Sequence, residues 1–181
     1  MSGNSENSHL VGRYEVECFD HNGDLKWSDH IDNVITTPGK NLLLDTVLAG
    51  AAYTATGPFM GLISAVSYAA GPVAADTMAS HAGWTEAGGA NAPTYTAPRK
   101  TTAAGWNAAS AGSKALTAAL AFAITSGTNV VVKGCFLAFG TGALSTIDNT
   151  GGTLLSAGLF SDGDKTVSSG DTINVSYSLA V

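Results

Sequence analysis

Apolar and polar positions alternate first over Arg13–Phe19, where Tyr14, Val16 and Cys18 fall between Arg13, Glu15 and Glu17. A period of two marks a strand with one wet face. His21-Asn22-Gly23-Asp24 follows, and Asn-Gly favours a tight hairpin because both residues tolerate positive φ. Leu25–Ile31 then reads as the returning strand. The next pattern changes period: Thr37 is placed to cap a helix near 38–49, Pro38 to open it, and Gly50 to stop it. Leu43, Leu44, Val47 and Leu48 fall on one face of that helix, which predicts an apolar stripe laid on a sheet.

Beyond Gly50 the chain returns to strands and long loops. Phe59–Ser64 is a short apolar run behind Gly57-Pro58 and predicts a buried strand. Tyr68–Gly89 is rich in Ala and Gly and predicts a long ordered loop anchored by Trp84, and Asn91–Gly105, with Pro93 and Pro98, an edge or extended connection. Leu116, Ala118, Leu120, Phe122 and Ile124 share one parity, although Ala115–Ala123 also has good helix formers and a helix is the alternative there. Val130–Phe139 and Leu154–Phe160 are nearly unbroken apolar runs, as in strands covered on both faces. Ser168–Asp171 turns the chain into a last strand whose Ile173, Val175, Tyr177 and Leu179 alternate with polar residues.

Together these elements predict a mainly β chain: an antiparallel, jelly-roll-like β-sandwich of about eight strands with one short helix in its N-terminal half. The expected organisation is a flexible N-terminal arm over 1–10 and a single sandwich domain over 11–181, with the helix near 38–49 and long loops near 50–58 and 71–94. The polar start lacks the basic and apolar segments of a signal peptide, and no stretch of about twenty apolar residues is long enough to span a bilayer. The expectation is synthesis in the cytoplasm and no membrane partner.

Charge changes the picture more than length does. The 181 residues carry 8 Lys and Arg against 14 Asp and Glu, and charged side chains make up only 12%, about half the share of an ordinary soluble domain. An acidic chain with Arg99-Lys100 as its only adjacent basic pair has no footprint for nucleic acid. More than half of the acids precede Thr46, while Val47–Ala75 holds no ionisable acid or base apart from Tyr53 and Tyr68. That middle segment is expected to be covered, by the fold or by neighbouring subunits. The acidic hairpin is expected to stay wet or meet a basic partner.

Candidate chemistry is sparse. Cys18 and Cys135 lie in separate strand-like runs and read as reduced, partly buried thiols, a disulfide being the alternative. His9, His21, His30 and His81 lack zinc spacing. Asp162, Asp164 and Asp171 sit at turns, where Asp accepts backbone N–H bonds; a calcium loop at Asp162-Gly163-Asp164 would lack the usual ligand spacing. Asp20, His21, Asp24, Asp29, His30 and Asp32 form the densest set of titratable groups, read first as a solvated hairpin end, then as a cation site, then as a catalytic cluster. His81 with Asp76, Glu86 and Trp84 reads as an ordered structural loop. Trp27, Trp84 and Trp106 could form a glycan platform only by converging in the fold, and core or interface packing is the simpler role. No catalytic, cofactor-binding or metal residue is assigned.

Thr36-Thr37-Pro38-Gly39-Lys40-Asn41-Leu42-Leu43-Leu44-Asp45, then Asp76–Glu86, Gly105-Trp106-Asn107-Ala108-Ala109-Ser110 and the final Gly-Asp-Thr-Ile-Asn-Val strand, resemble small virion structural proteins of tailed bacteriophages over most of residues 30–181. The resemblance implies a non-enzymatic capsid cement or decoration protein on the outer surface of the virion. Such a protein would bind the major capsid protein, associate as a dimer or trimer, and need no cofactor. The arm Met1–Leu10 and the loops Gly50–Phe59 and Gly71–Thr94 are then expected to make lattice or self-association contacts. Other readings are a tail or fibre component, a receptor- or glycan-binding module, and a hydrolase built on the Asp/His cluster.

Overall fold

The computed structural model describes residues 9–48, 56–101 and 105–181. Most of the expected arm and residues 50–55 of the expected first loop, including the Gly50 helix stop, therefore lie outside the described residues. The fold is mainly β: two antiparallel sheets and one helix, a β-sandwich. Thirteen strands are present rather than about eight, because six are pieces of two or three residues and seven run six residues or more.

The first sheet is built from β1 (Val11–Phe19), β2 (Leu25–Asp32), β6 (Thr94–Tyr95), β8 (Ser113–Ala115), β9 (Leu120–Ser126) and β13 (Thr172–Ala180), in the order β2-β1-β13-β9-β6 with β8 beside β13. The second holds β3 (Val34–Ile35), β4 (Phe59–Ser64), β5 (Thr85–Glu86), β7 (Lys100–Thr101), β10 (Val130–Phe139), β11 (Thr153–Leu159) and β12 (Lys165–Val167), in the order β3-β11-β10-β4-β5. The Pro-rich segment between Asn91 and Thr101 is the place where the chain changes sheets, since β6 pairs with β9 and β7 with β4. Ala115–Ala123 forms strand, not helix; its inward Phe122 packs edge-on against Tyr95.

Tyr14, Val16 and Cys18 of β1 point inward with Ile173, Val175 and Tyr177 of β13 and meet Leu62, Cys135, Leu137 and Leu155 of the other sheet. One polar pin crosses this core, the Tyr14 hydroxyl lying 2.6 Å from Ser156 Oγ on β11. The second sheet is covered on its far face as well. There Ile63, Phe136, Ala138, Leu154 and Ala157 pack under Met78 and Trp84 from the loop 65–84. This third layer explains why β4, β10 and β11 read as continuous apolar runs while β1 and β13 alternate.

The helix α1 spans Thr37–Leu48. Its cap is Thr36, one residue before the expected one: Gly39 N–H donates to Thr36 Oγ1 at 3.0 Å, while that hydroxyl donates onward to the Leu154 carbonyl. The helix is also rotated from the expected orientation. A Cβ on Gly39 would lie 2.7 Å from the Leu155 carbonyl oxygen, so the first turn sits directly on the β11 backbone. With Gly39 held there, Leu42 and Leu43 turn toward the core, and Leu44, Val47 and Leu48 remain 58%, 77% and 75% exposed.

Both cysteines are free and buried. Burial pushes the Cys18 thiol up to about 12 and raises Cys135 as well. Because the thiolate is the reacting form, neither cysteine should titrate with a thiol reagent in the folded chain. Both should react after unfolding in denaturant; fast labelling of either one in buffer would contradict this packing.

Candidate functional site

The hairpin cluster does not converge. Asp20 serves the turn, accepting the N–H groups of Asn22 at 2.8 Å and Asp24 at 2.9 Å, with Gly23 at φ 87° as the Asn-Gly signal requires. Asp29 faces inward at the other end of β2. Its carboxylate meets Lys165 Nζ at 2.9 Å and accepts the N–H groups of His30 and Asp162 at 2.6 and 3.1 Å. His30 faces outward, with its ring nitrogens 3.8 Å from Asp29 and 3.7 Å from Asp32. Arg13 ties Glu15 at 2.5 Å and Asp32 at 3.2 Å on the same wet face.

Burial pushes the Asp29 carboxyl up, but the Lys165 ammonium and the two backbone N–H groups outweigh it and hold the carboxyl below its ordinary value. A folded value below the unfolded one, which is about 3.9, gives stability that is complete above that pH. It is lost as the pH falls through the folded value. Acid unfolding of Asp29→Asn should show a shallower pH dependence below about pH 4, together with a loss of roughly 1.5–3 kcal/mol at neutral pH. Identical acid profiles for the two proteins would contradict that role.

The expected turn aspartates are likewise engaged. Asp171 accepts the Ser168 N–H at 2.7 Å and pairs with Lys26 at 2.5 Å, and Asp164 pairs with Lys133 at 2.8 Å. Lys133 also lies 4.3 Å above the Tyr68 ring, which ties β10 to the covering loop. Among the described residues no group of three or more His, Cys, Asp or Glu could hold a metal ion, and no serine hydroxyl hydrogen-bonds a histidine ring.

The loop cluster around His81 is an anchor. Trp84 Nε1–H donates to Asp76 Oδ2 at 3.0 Å, the same oxygen accepts the Val73 N–H at 3.0 Å, and the His81 ring stacks on the indole at 4.0 Å. Glu86 belongs to a separate buried lock. Arg99, 2% exposed, forms a fork on Glu86 at 2.7 and 2.6 Å and donates to the carbonyls of Leu144 and Asn149. The Asp148 N–H completes it by donating to Glu86 at 2.8 Å. Burial pushes the Glu86 carboxyl up against the pull of Arg99. This lock fastens the segments before β7 and after β10 to each other, and the dipeptide Arg99-Lys100 gave no sign of it: the partners stand thirteen residues apart, out of any helical or strand period.

The three tryptophans do not converge. Trp84 is buried, Trp27 packs edge-on against Phe160 and donates to the Thr166 carbonyl, and Trp106 packs edge-on against Tyr177. A glycan platform loses the side chains that suggested it.

Two open surfaces remain. On the outer face of the first sheet Glu15, Glu17, Ser28, His30, Asn174 and Ser176 line a polar groove of about 580 Å³. At the end of the sandwich, α1 and the ends of β1 and β13 line a second groove of similar size whose walls are apolar, among them Leu10, Leu43, Leu44, Val47, Leu48 and Val181. No element of the fold covers this second groove, and sequence reasoning missed it by laying the whole Leu43–Leu48 stripe on the sheet. No family model matches the chain, and no curated protein or solved structure is significantly similar to it.

Proposed function

We propose that this chain is a non-enzymatic structural component of a tailed-phage virion, a cement or decoration protein that binds the outside of the capsid and braces neighbouring capsomers. The observation that carries the binding part of this reading is the use of charge. Five of the eight Lys and Arg residues are tied to carboxylates of the chain's own fold. Meanwhile large apolar side chains on α1 face outward. A chain that locks its loops with its few charges and leaves aliphatic surface open is suited to docking on other protein. The virion part rests on the sequence resemblance over residues 30–181.

The likely contact surfaces are narrower than the sequence suggested, because the inner side of the loop 71–94 is occupied in covering the second sheet. Its outward side, the α1 face and the acidic face of β1 and β2 are the surfaces left for a lattice. Binding that favours only the assembled lattice stabilises it by mass action.

A direct test incubates the purified chain with capsid shells stripped of accessory proteins and with unassembled capsid subunits. Saturable binding to shells alone, with a raised temperature of shell disruption, is the expected result. Equal binding to free subunits, or none to shells while the chain is recovered with tails, would assign it elsewhere.

A further inference from the structure

We propose that the exposed face of α1, together with the adjoining ends of β1 and β13, is a self-pairing surface through which two copies of this chain join about a two-fold axis. The inference stands independently of the virion reading. Leu44, Val47 and Leu48 recur at i, i+3 and i+4, so they form one ridge along the helix. The ridge borders the apolar groove, where Val181 is 69% exposed. These side chains leave on the order of 500 Å² of apolar area open, toward the upper end for the largest patch on a monomer. Two such faces laid together bury about 1,000 Å², the size a specific interface must reach.

Charge selects a second copy as the occupant. The chain carries a net −6, so copies repel over most of their surfaces, most of all across the face that bears Glu15, Glu17 and Asp32. The α1 face differs: Lys40 and His9 line the groove, and Asp45 flanks the C-terminal part of the ridge. Antiparallel packing of two α1 helices sets ridge on ridge and brings each Lys40 toward the partner copy's Asp45. A two-fold contact of this kind satisfies both charges with one surface and closes at two copies. The eight residues before His9 are a poor alternative occupant, since Met1 is their only large apolar side chain.

The test is sedimentation of the full chain over about 1–100 µM, where mass action populates a dimer of this size. The wild type should run at twice the 18.2 kDa chain mass. Leu44→Glu/Leu48→Glu should run as a monomer with unchanged circular dichroism and thermal midpoint, as expected for exposed positions. Leu44→Cys, near the axis, should form a covalent dimer under mild oxidation, whereas Asp24→Cys at the far hairpin should not. A wild-type monomer at the highest concentration, a trimer, or a dimer that survives the double substitution would overturn the proposal. So would a monomer whose double variant loses only its binding to capsid shells, because the face would then belong to a different partner.

Discussion

Arg99→Met should lower the unfolding free energy by about 3–5 kcal/mol, because removing one partner of a buried pair strands the other charge. Glu86 would keep the Asp148 N–H as its remaining partner, and the carbonyls of Leu144 and Asn149 would lose their donor. For a chain of this size that is a fall in melting temperature of about 10 °C, and a large part of the total stability of an ordinary domain. Arg99→Met with Glu86→Leu should recover part of the loss, since an apolar pair needs no counter-charge. The three stranded backbone groups keep the recovery incomplete. Denaturant titration of the single and double variants checks both statements; a single variant within 1 kcal/mol of wild type would mean that the lock carries no stability.

Trp84→Ala should cost about 3–5 kcal/mol, the range for emptying a large aromatic site. The indole packs at 5.5 Å from the Phe136 ring, stacks with His81, and supplies one of the donors to Asp76. Its loss should also free the loop from the second sheet, so limited proteolysis should cut between Val66 and Ser80 before the rest of the chain. Trp84→Phe keeps most of the packing and removes the bond to Asp76, so it should fall between the two. Loss of a binding activity in Trp84→Ala would therefore report unfolding of the loop and not a glycan contact. An alanine variant with unchanged stability and an uncut loop would refute the anchoring role.

What could be read from the sequence follows from which faces are wet. β1 and β13 were legible because Glu15, Glu17, Asn174 and Ser176 face solvent, so polar and apolar residues alternate strictly. The apolar runs of β4, β10 and β11 correctly indicated cover on both faces. The nature of that cover was hidden, since it is a Gly- and Ala-rich loop and not a helix or a third sheet. The rotation of α1 was illegible in its stripe of leucines because it is set by Gly39, whose missing side chain lets the first turn rest on β11. The Arg99–Glu86 lock depends on strand order, and no local spacing encodes it. The Asp/His cluster looked dense only along the chain: in a strand neighbouring side chains leave on opposite faces, which parts Asp29 from His30.

The sparse charge first noticed in the composition thus has two physical counterparts, charges consumed in internal pairs and an aliphatic face left open. The proposal that this is a shell-bound structural protein is tested most directly by a map of the particle that carries it. The account predicts density for the sandwich in hundreds of copies on the outer capsid lattice, bridging capsomers and leaving the Glu15–Glu17 face toward solvent or a basic neighbour. Density for a dozen copies or fewer on the tail, or none on the particle, would contradict it.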